Sequence, residues 1–113
     1  MDRFNVYAMF NGYCAYCGCD ITLQNFQVDH IHPQYLGGKD IKENYYPACR
    51  SCNATKATYT LEKFRQRLLD DVKRLERDSS KFRILKRFGI FKQVKTELVF
   101  YFEALTEPSQ KEV

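Results

Sequence analysis

The sequence lacks tryptophan, and it contains no internal repeat and no low-complexity linker. It also lacks an apolar run of about 18 residues or more, which excludes a membrane-spanning helix of ordinary length. Its first residues do not show the basic segment followed by an apolar stretch that is typical of a secretory signal. We therefore expect 113 residues to form one domain, or a small motif with an accessory part, outside the membrane.

Apolar residues are sufficient for a core, although the chain is short. Hydrophobic residues make up 44 % of the sequence, and eight Tyr and nine Phe supply most of the bulk. A small chain buries a smaller fraction of its surface than a large one does. A bound metal ion would therefore add useful stabilisation.

The net charge of +4 is unevenly distributed along the chain. Residues 1–55 have a net charge of −1, and residues 96–113 have a net charge of −3. Residues 56–95 contain 13 basic and 5 acidic side chains, a net charge of +8. This basic middle favours an anionic partner such as a nucleic-acid backbone, although a solvated helix face is the alternative.

Four of the five cysteines form two Cys-x-x-Cys pairs, Cys14/Cys17 and Cys49/Cys52, and Cys19 is left over. Without a secretory signal, such paired spacing favours zinc over disulfides. Four thiolates complete a tetrahedral shell and leave no position open for chemistry. A thioredoxin-like redox dithiol would need one pair in a βαβ setting. The spacing therefore predicts one structural zinc ion.

Turn-forming and apolar residues divide the chain into short elements. Residues 98–102 fit either a strand or a helix. The tail at 107–113 is expected to be frayed. The remaining pattern predicts a helix within residues 4–13, strands at 26–30 and 45–48 with a loop at 31–44 between them, and helices at 49–56, 61–77 and 81–88.

Polar residues suited to phosphodiester hydrolysis lie between and after the cysteine pairs. Asp29 offers a carboxylate oxygen and Asn53 an amide oxygen, which are ligands that favour Mg²⁺ or Mn²⁺ over zinc. The imidazole of His30 can act as a general base near neutral pH, and His32 could share its face. Adjacent side chains diverge in a regular strand, so a bend near the strand end is expected if Asp29 and His30 serve one substrate. Taken singly, either histidine would be an ordinary surface or structural residue.

Together these residues resemble the HNH endonuclease family, whose core is a ββα-metal fold. The resemblance implies a small α+β protein: a ββα-metal core clasped by a four-cysteine zinc site and followed by a helical basic extension. The core would span residues 1–57, and residues 58–113 would form the mainly helical C-terminal extension packed on it. The motifs that carry the resemblance are Cys14-x-x-Cys17, Val28-Asp29-His30-Ile31-His32-Pro33, Gly37-Gly38, Asn44 and Cys49-Arg50-Ser51-Cys52-Asn53-Ala54-Thr55-Lys56.

The resemblance also implies an activity and a role for each matching residue. The protein would be a metal-dependent endonuclease that hydrolyses DNA and leaves 5′-phosphate ends. His30 would be the general base, and Asp29 and Asn53 would hold one Mg²⁺ or Mn²⁺. Asn44 would tie down the loop between the strands, and His32 would contact phosphate or metal. The Asn at position 53, where His is common, is similar to the phage junction-resolving and CRISPR-associated branches.

The expected partner is DNA, duplex or branched, although the residues alone leave RNA open. One such site makes one cut, so a homodimer is one way to cut both strands. The resemblance to phage and mobile-element nucleases implies a cytoplasmic location in a bacterial or phage-infected cell. Two other functions fit the sequence: a non-catalytic zinc-stabilised nucleic-acid-binding module, and an effector nuclease with a protein inhibitor. The candidate contacts to the nucleic-acid backbone are Arg50, Lys56, Lys81, Arg83, Lys86 and Arg87.

Overall fold

The computed structural model describes residues 2–92, 95 and 97–106. Within them the protein is a small α+β structure with one two-stranded antiparallel sheet, and the predicted fold class is confirmed. The 3₁₀ turns are Gln34–Leu36 and Lys42–Asn44. The helices and strands are α1 Arg3–Ala8, β1 Gln27–His30, β2 Tyr45–Ala48, α2 Arg50–Lys56, α3 Leu61–Asp78, α4 Ser80–Arg87 and α5 Tyr101–Thr106.

The described residues form two compact units. The first contains the residues up to Leu61 together with those from Val99 onward, and the second contains Glu62–Leu98. The boundary after residue 57, and the packing of an extension on a core, stay predictions from the sequence. None of the described helices combines the length and the apolar character that a bilayer crossing requires.

Strands β1 and β2 pair in antiparallel register, with His30 opposite Tyr45 and Asp29 opposite Tyr46. The β2 strand has the predicted limits, and β1 begins one residue later than predicted. Pro47 has no amide hydrogen to donate. In a sheet of only two strands, each strand has one edge that pairs with no other strand, and no amide hydrogen is needed at that edge. The last residues of β1 and the first residues of β2 therefore lie side by side at the entrance to the connecting loop.

Helix α2 follows β2 directly. The Cys49 thiol sulfur accepts a hydrogen bond from the amide of Cys52, 3.3 Å away, and so caps the start of the helix. The helix ends where Ala57 adopts a positive φ of 47°. The sheet and this helix form the ββα arrangement that the sequence predicted.

Aromatic rings fill much of the first unit's core. The Tyr16 ring meets those of Tyr46, Phe100 and Phe102 edge to face, with centroids 5.4–6.2 Å apart. The amide of Tyr101 donates to the carbonyl of Tyr16, 2.9 Å away. Residues 98–102 form no strand; 98–100 belong to neither element, and only Tyr101 and Phe102 are helical, as the start of α5.

The second unit contains α3 and α4, whose limits agree with the predicted helices to within a residue. Ser79 caps α4 by accepting a hydrogen bond from the amide of Phe82, 3.1 Å away. The Arg83 guanidinium donates to the carbonyls of Glu76 and Arg77 near the end of α3, at 2.8 and 2.9 Å. The tail at 107–113, predicted to be frayed, lies outside the described residues.

Candidate active site and metal centre

The four cysteines of the two Cys-x-x-Cys pairs converge on one point. Their Sγ atoms all lie within 4.8 Å of one another, and those of Cys17 and Cys49 are 3.8 Å apart. A tetrahedron with Zn–S bonds of about 2.3 Å has edges of about 3.8 Å. The donor set and its spacing therefore fit a structural metal such as zinc. Cys19 is exposed and is not one of the four converging residues, although its thiol contacts those of Cys17 and Cys49.

Local hydrogen bonds support the thiolates of this centre. The amides of Tyr16 and Cys17 donate to Cys14 Sγ at 3.4 and 3.5 Å, as the amide of Cys52 does to Cys49 Sγ. A hydrogen bond with the Cys52 thiol lowers the pKa of the buried Cys14 to about 4. The same contact raises the pKa of Cys52. The cluster thus already favours a negative charge on its most buried sulfur.

Asp29, His30 and Asn53 line one cavity of about 320 Å³ in the first unit. Asp29 and His30 are the last two residues of β1, and Asn53 lies in α2. Adjacent side chains normally leave a strand on opposite faces. Both nevertheless line this cavity, although they are consecutive residues at the end of β1. Pro33, Gln34 and Tyr35 from that loop complete the side of the cavity next to His30.

The Asp29 carboxylate is buried, with 5 % of the residue exposed, and two donors hold one of its oxygens. The Tyr16 hydroxyl donates to Oδ2 at 2.5 Å, and the Lys56 ammonium lies 3.0 Å from the same atom. Burial, and then the charge of Asp29, raise the pKa of Tyr16, so its phenol stays protonated and donates. Neither contact involves the other carboxylate oxygen, Oδ1.

Lys56, predicted to contact phosphate, is fully buried instead. Its Nζ donates to the His30 carbonyl at 2.9 Å and pairs with Asp29. It could not reach a phosphate at the surface without breaking both contacts. Lys56 lies three residues after Asn53 in α2, on the same face of the helix, which is the one signal that could have linked it to the site. Tyr16, inside a Cys-x-x-Cys turn, gave no such signal.

His30 is held by two residues that the sequence analysis missed. Its Nε2 lies 3.0 Å from Asp40 Oδ1, and its ring meets the Tyr45 ring edge to face, with centroids 5.3 Å apart. The Tyr45 hydroxyl also donates to Asp40 Oδ1. Hydrogen bonds from Tyr45 and His30 lower the pKa of Asp40. Asp40 is therefore a carboxylate at neutral pH and accepts a hydrogen bond from His30 Nε2.

Asn44 and His32 stabilise the loop between the strands. Asn44 Oδ1 accepts from the His32 amide at 2.8 Å, and its Nδ2 donates to the carbonyls of His32 and Lys39 at 2.9 and 2.8 Å. The exposed His32 ring lies with Nε2 3.2 Å from the Leu36 carbonyl. His32 is not among the residues that line the cavity.

The other candidate nucleic-acid contacts differ in whether their side chains already have a partner among the described residues. Arg50, Lys81 and Arg87 are exposed, and their side chains make no ion pair with another described residue. Arg83 caps α3, and Lys86 forms an ion pair with Glu76. The first three are therefore the ones whose full charge faces solvent.

Comparisons with known proteins agree with this arrangement. Residues 14–69 match the model of a family described as HNH endonuclease. A stretch of 47 residues is 43 % identical to the CRISPR-associated endonuclease Cas9 of Corynebacterium diphtheriae, covering 41 % of this chain and 4 % of that protein. The structure is similar to the crystal structure of the type II-C Cas9 enzyme from Actinomyces naeslundii, with a TM-score of 0.54 and 28 % identity.

The chain spans only a small part of these relatives, 8 % of the solved Cas9 chain, while that match covers 58 % of this chain. The family match, over residues 14–69, includes the cysteine cluster and the residues that line the cavity. Residues 14–69, which carry the four clustered cysteines together with Asp29, His30 and Asn53, are thus the segment of this chain that matches the HNH endonuclease family.

Proposed function

We propose that this protein is a metal-dependent endonuclease that hydrolyses phosphodiester bonds in DNA. The observation that supports this most directly is the single cavity lined by Asp29, His30 and Asn53. These residues supply a base and two oxygen ligands within one pocket of a nuclease-family domain. The neighbouring cysteine cluster is proposed to hold one structural zinc ion, which takes no part in the reaction.

In the proposed reaction, His30 accepts a proton from a water molecule as the water oxygen attacks phosphorus. The bond between phosphorus and the 3′ oxygen breaks, and that oxygen takes up a proton as it leaves. The products are a 5′-phosphate end and a 3′-hydroxyl end. Because the Asp40 carboxylate accepts from Nε2, the lone pair of the neutral imidazole is on Nδ1. We propose Nδ1 as the atom that accepts the proton.

Asp29 and Asn53 are the residues proposed to hold one Mg²⁺ or Mn²⁺ ion. Such an ion, when bound, would stabilise negative charge on the phosphate and the leaving oxygen. Tyr16 and Lys56 fix the carboxylate through Oδ2 and leave Oδ1 for coordination. A carboxylate with a carboxamide suits these hard cations better than zinc. Asn44 holds the loop between the strands. His32 is proposed to support the same loop through the contact of its ring with the Leu36 carbonyl.

Exposed basic side chains are proposed to contact the DNA backbone, Arg50 in the first unit and Lys81 and Arg87 in the second. Arg83 and Lys86 could add charge although each already has a partner. A homodimer would allow both strands of a duplex to be cut. Branched DNA would be cut by the same chemistry.

Incubation of supercoiled plasmid with the zinc-loaded protein and Mg²⁺ or Mn²⁺ tests the proposal. We expect nicking by the wild type and its loss, by about 100-fold or more, in His30→Ala. Gln24→Ala, an exposed substitution in the same unit, should cut like the wild type. Equal cutting by His30→Ala would reject His30 as the base. Plasmid binding with no cutting by the wild type in either metal would instead support the non-catalytic binding module.

A further inference from the structure

Tyr35 is the most exposed of the large hydrophobic side chains in the described residues. Its relative exposure is 82 %, and within the described part of the chain its ring contacts no other ring. By contrast, Tyr16, Tyr45 and Tyr46 all contact other aromatic rings. A ring this exposed contributes little to the packing of the fold, and its face is open to a ligand.

Tyr35 also lines the cavity that contains Asp29, His30 and Asn53. This exposed residue therefore lies at the edge of the proposed reaction site. Gln34, whose side-chain amide can donate and accept, is a lining residue of the same cavity. An aromatic face with a neighbouring amide is a combination suited to a nucleobase.

The backbone that carries Tyr35 is held in place. Within the 3₁₀ turn Gln34–Leu36, the amides of Leu36 and Gly38 both donate to the Pro33 carbonyl at 2.9 Å. His32 contacts the Leu36 carbonyl, and Asn44 bonds the backbone at both ends of the loop. The exposed ring thus projects from a fixed platform, which lowers the entropy that is lost when a ligand stacks on it.

We infer that the Tyr35 ring is a stacking platform for an unpaired nucleobase adjacent to the scissile phosphate. This inference depends on the proposed nuclease function. In a regular duplex both faces of a base are covered by its neighbours, so a base can stack on Tyr35 only where the strand is single or locally opened. The substrate class that fits this site is therefore DNA with unpaired bases at the point of cleavage.

A cleavage test uses short labelled single strands cut by the zinc-loaded protein. Stacking on one base corresponds to an increase in KM of between about 5-fold and about 140-fold in Tyr35→Ala. Tyr35→Phe should retain a KM close to that of the wild type. An abasic nucleotide at the flanking position should raise the wild-type KM by a similar factor, without a further increase for Tyr35→Ala. The inference would be overturned if Tyr35→Ala had the same KM as the wild type. It would also be overturned if the KM increases caused by Tyr35→Ala and by the abasic nucleotide multiplied when the two changes were combined.

A binding test needs no activity and uses the absence of tryptophan from the chain. Tyr35→Trp in a His30→Ala background introduces a single indole whose fluorescence is quenched when a base stacks on it. We expect quenching by oligothymidylate, and none by an abasic oligonucleotide or a blunt duplex. Leu23→Trp, an exposed position outside the cavity lining, is the matched control and should not respond. No quenching of Tyr35→Trp, or equal quenching by the duplex, would reject the stacking platform.

The two proposals fail in different ways. If the wild type cuts no nucleic acid, the nuclease function is rejected whatever Tyr35 does. If the wild type cuts single strands and duplexes equally well, and Tyr35→Ala cuts like the wild type, the nuclease function stands and the stacking platform is rejected.

Discussion

The Lys56 ammonium lies 3.0 Å from Asp29 Oδ2, and both side chains are buried. One end of α2 is thereby bound to the end of β1, because Lys56 also donates to the His30 carbonyl. A charge that is buried without its partner is costly. This ion pair consequently links the stability of the fold to the position of the carboxylate in the proposed active site.

Replacing Lys56 by Met should destabilise the protein strongly. The substitution removes the cationic partner of the buried Asp29 carboxylate, and loss of one partner of a buried pair costs about 3–5 kcal/mol. The measurement is the free energy of unfolding in denaturant with zinc present. Lys73→Met, an exposed substitution in α3, is the control and should change this free energy by less than about 0.5 kcal/mol. Similar values for the two variants would contradict the structural role given to Lys56.

Tyr16→Phe should weaken the fold in a way that depends on pH. Loss of the hydrogen bond to a charged acceptor is expected to cost about 1.5–3 kcal/mol at neutral pH. Because the folded-state pKa of Tyr16 is raised above its ordinary value of 10.0, the unfolded chain releases this proton first. The stabilisation from Tyr16 is complete below pH 10.0 and is lost as the pH rises above it.

Unfolding of the two proteins at pH 8 and at intervals up to about pH 11 measures this difference. The wild type should lose stability more steeply than Tyr16→Phe above pH 10.0. Tyr13→Phe changes an exposed tyrosine of the same unit and should follow the wild type. A constant difference between the wild type and Tyr16→Phe across this range would show that Tyr16 ionises normally.

Removal of the metal should unfold the first unit. Metal analysis is expected to find one zinc ion per chain, because four sulfurs converge on one point. A strong chelator should then reduce both the far-ultraviolet circular dichroism and the plasmid nicking. Cys49→Ser should behave like the chelated protein, whereas Cys19→Ser should retain zinc and fold, since Cys19 lies outside the cluster. A folded, zinc-free Cys49→Ser chain would show that the cluster is dispensable for folding.

Gly38→Ala should disrupt the loop that carries Tyr35 and Asp40. A Cβ at position 38 would lie 1.8 Å from the His32 carbonyl oxygen, a backbone atom that already accepts a hydrogen bond from Asn44. Gly89→Ala is the control, because a Cβ there meets open space and adds only the strain of its positive φ, about 1–2 kcal/mol. We expect a larger fall in thermal stability and a loss of nicking in Gly38→Ala alone. Normal nicking by Gly38→Ala would show that the loop geometry is not needed.

Local patterns were sufficient for the elements and the metal centre. The spacing of Cys14, Cys17, Cys49 and Cys52 specified a four-sulfur site because tetrahedral coordination needs four donors from two tight turns. The strand at 26–30 followed from the alternation of apolar and polar residues, and the helix at 61–77 followed from its apolar periodicity. At residues 98–102 propensity left strand and helix open, and backbone hydrogen bonds from Tyr101 and Phe102 to residues 15 and 16 accompany the start of α5.

The roles of charged side chains could not be predicted in the same way. Lys56 and Arg50 lie in one short helix, yet one is fully buried and the other is exposed. Their positive charge alone would place Lys56 and Arg50 on a basic surface, because residue type does not encode whether a side chain faces solvent or the core. The choice depends on Asp29, which is distant in sequence and lies against α2 only after the sheet has formed.

The amino-acid sequence by itself indicated the family match, the cysteine cluster and the residues that are proposed to perform hydrolysis. These follow from the chemical type of the residues and from short spacings, both of which can be read from the sequence without knowing the contacts between distant residues. The tertiary structure alone decided that Lys56 holds Asp29, that Asp40 and Tyr45 hold His30, and that the Tyr35 ring stays in solvent beside them. Each of those outcomes depends on which loop or strand lies next to a given side chain, and the packing of the whole unit fixes that.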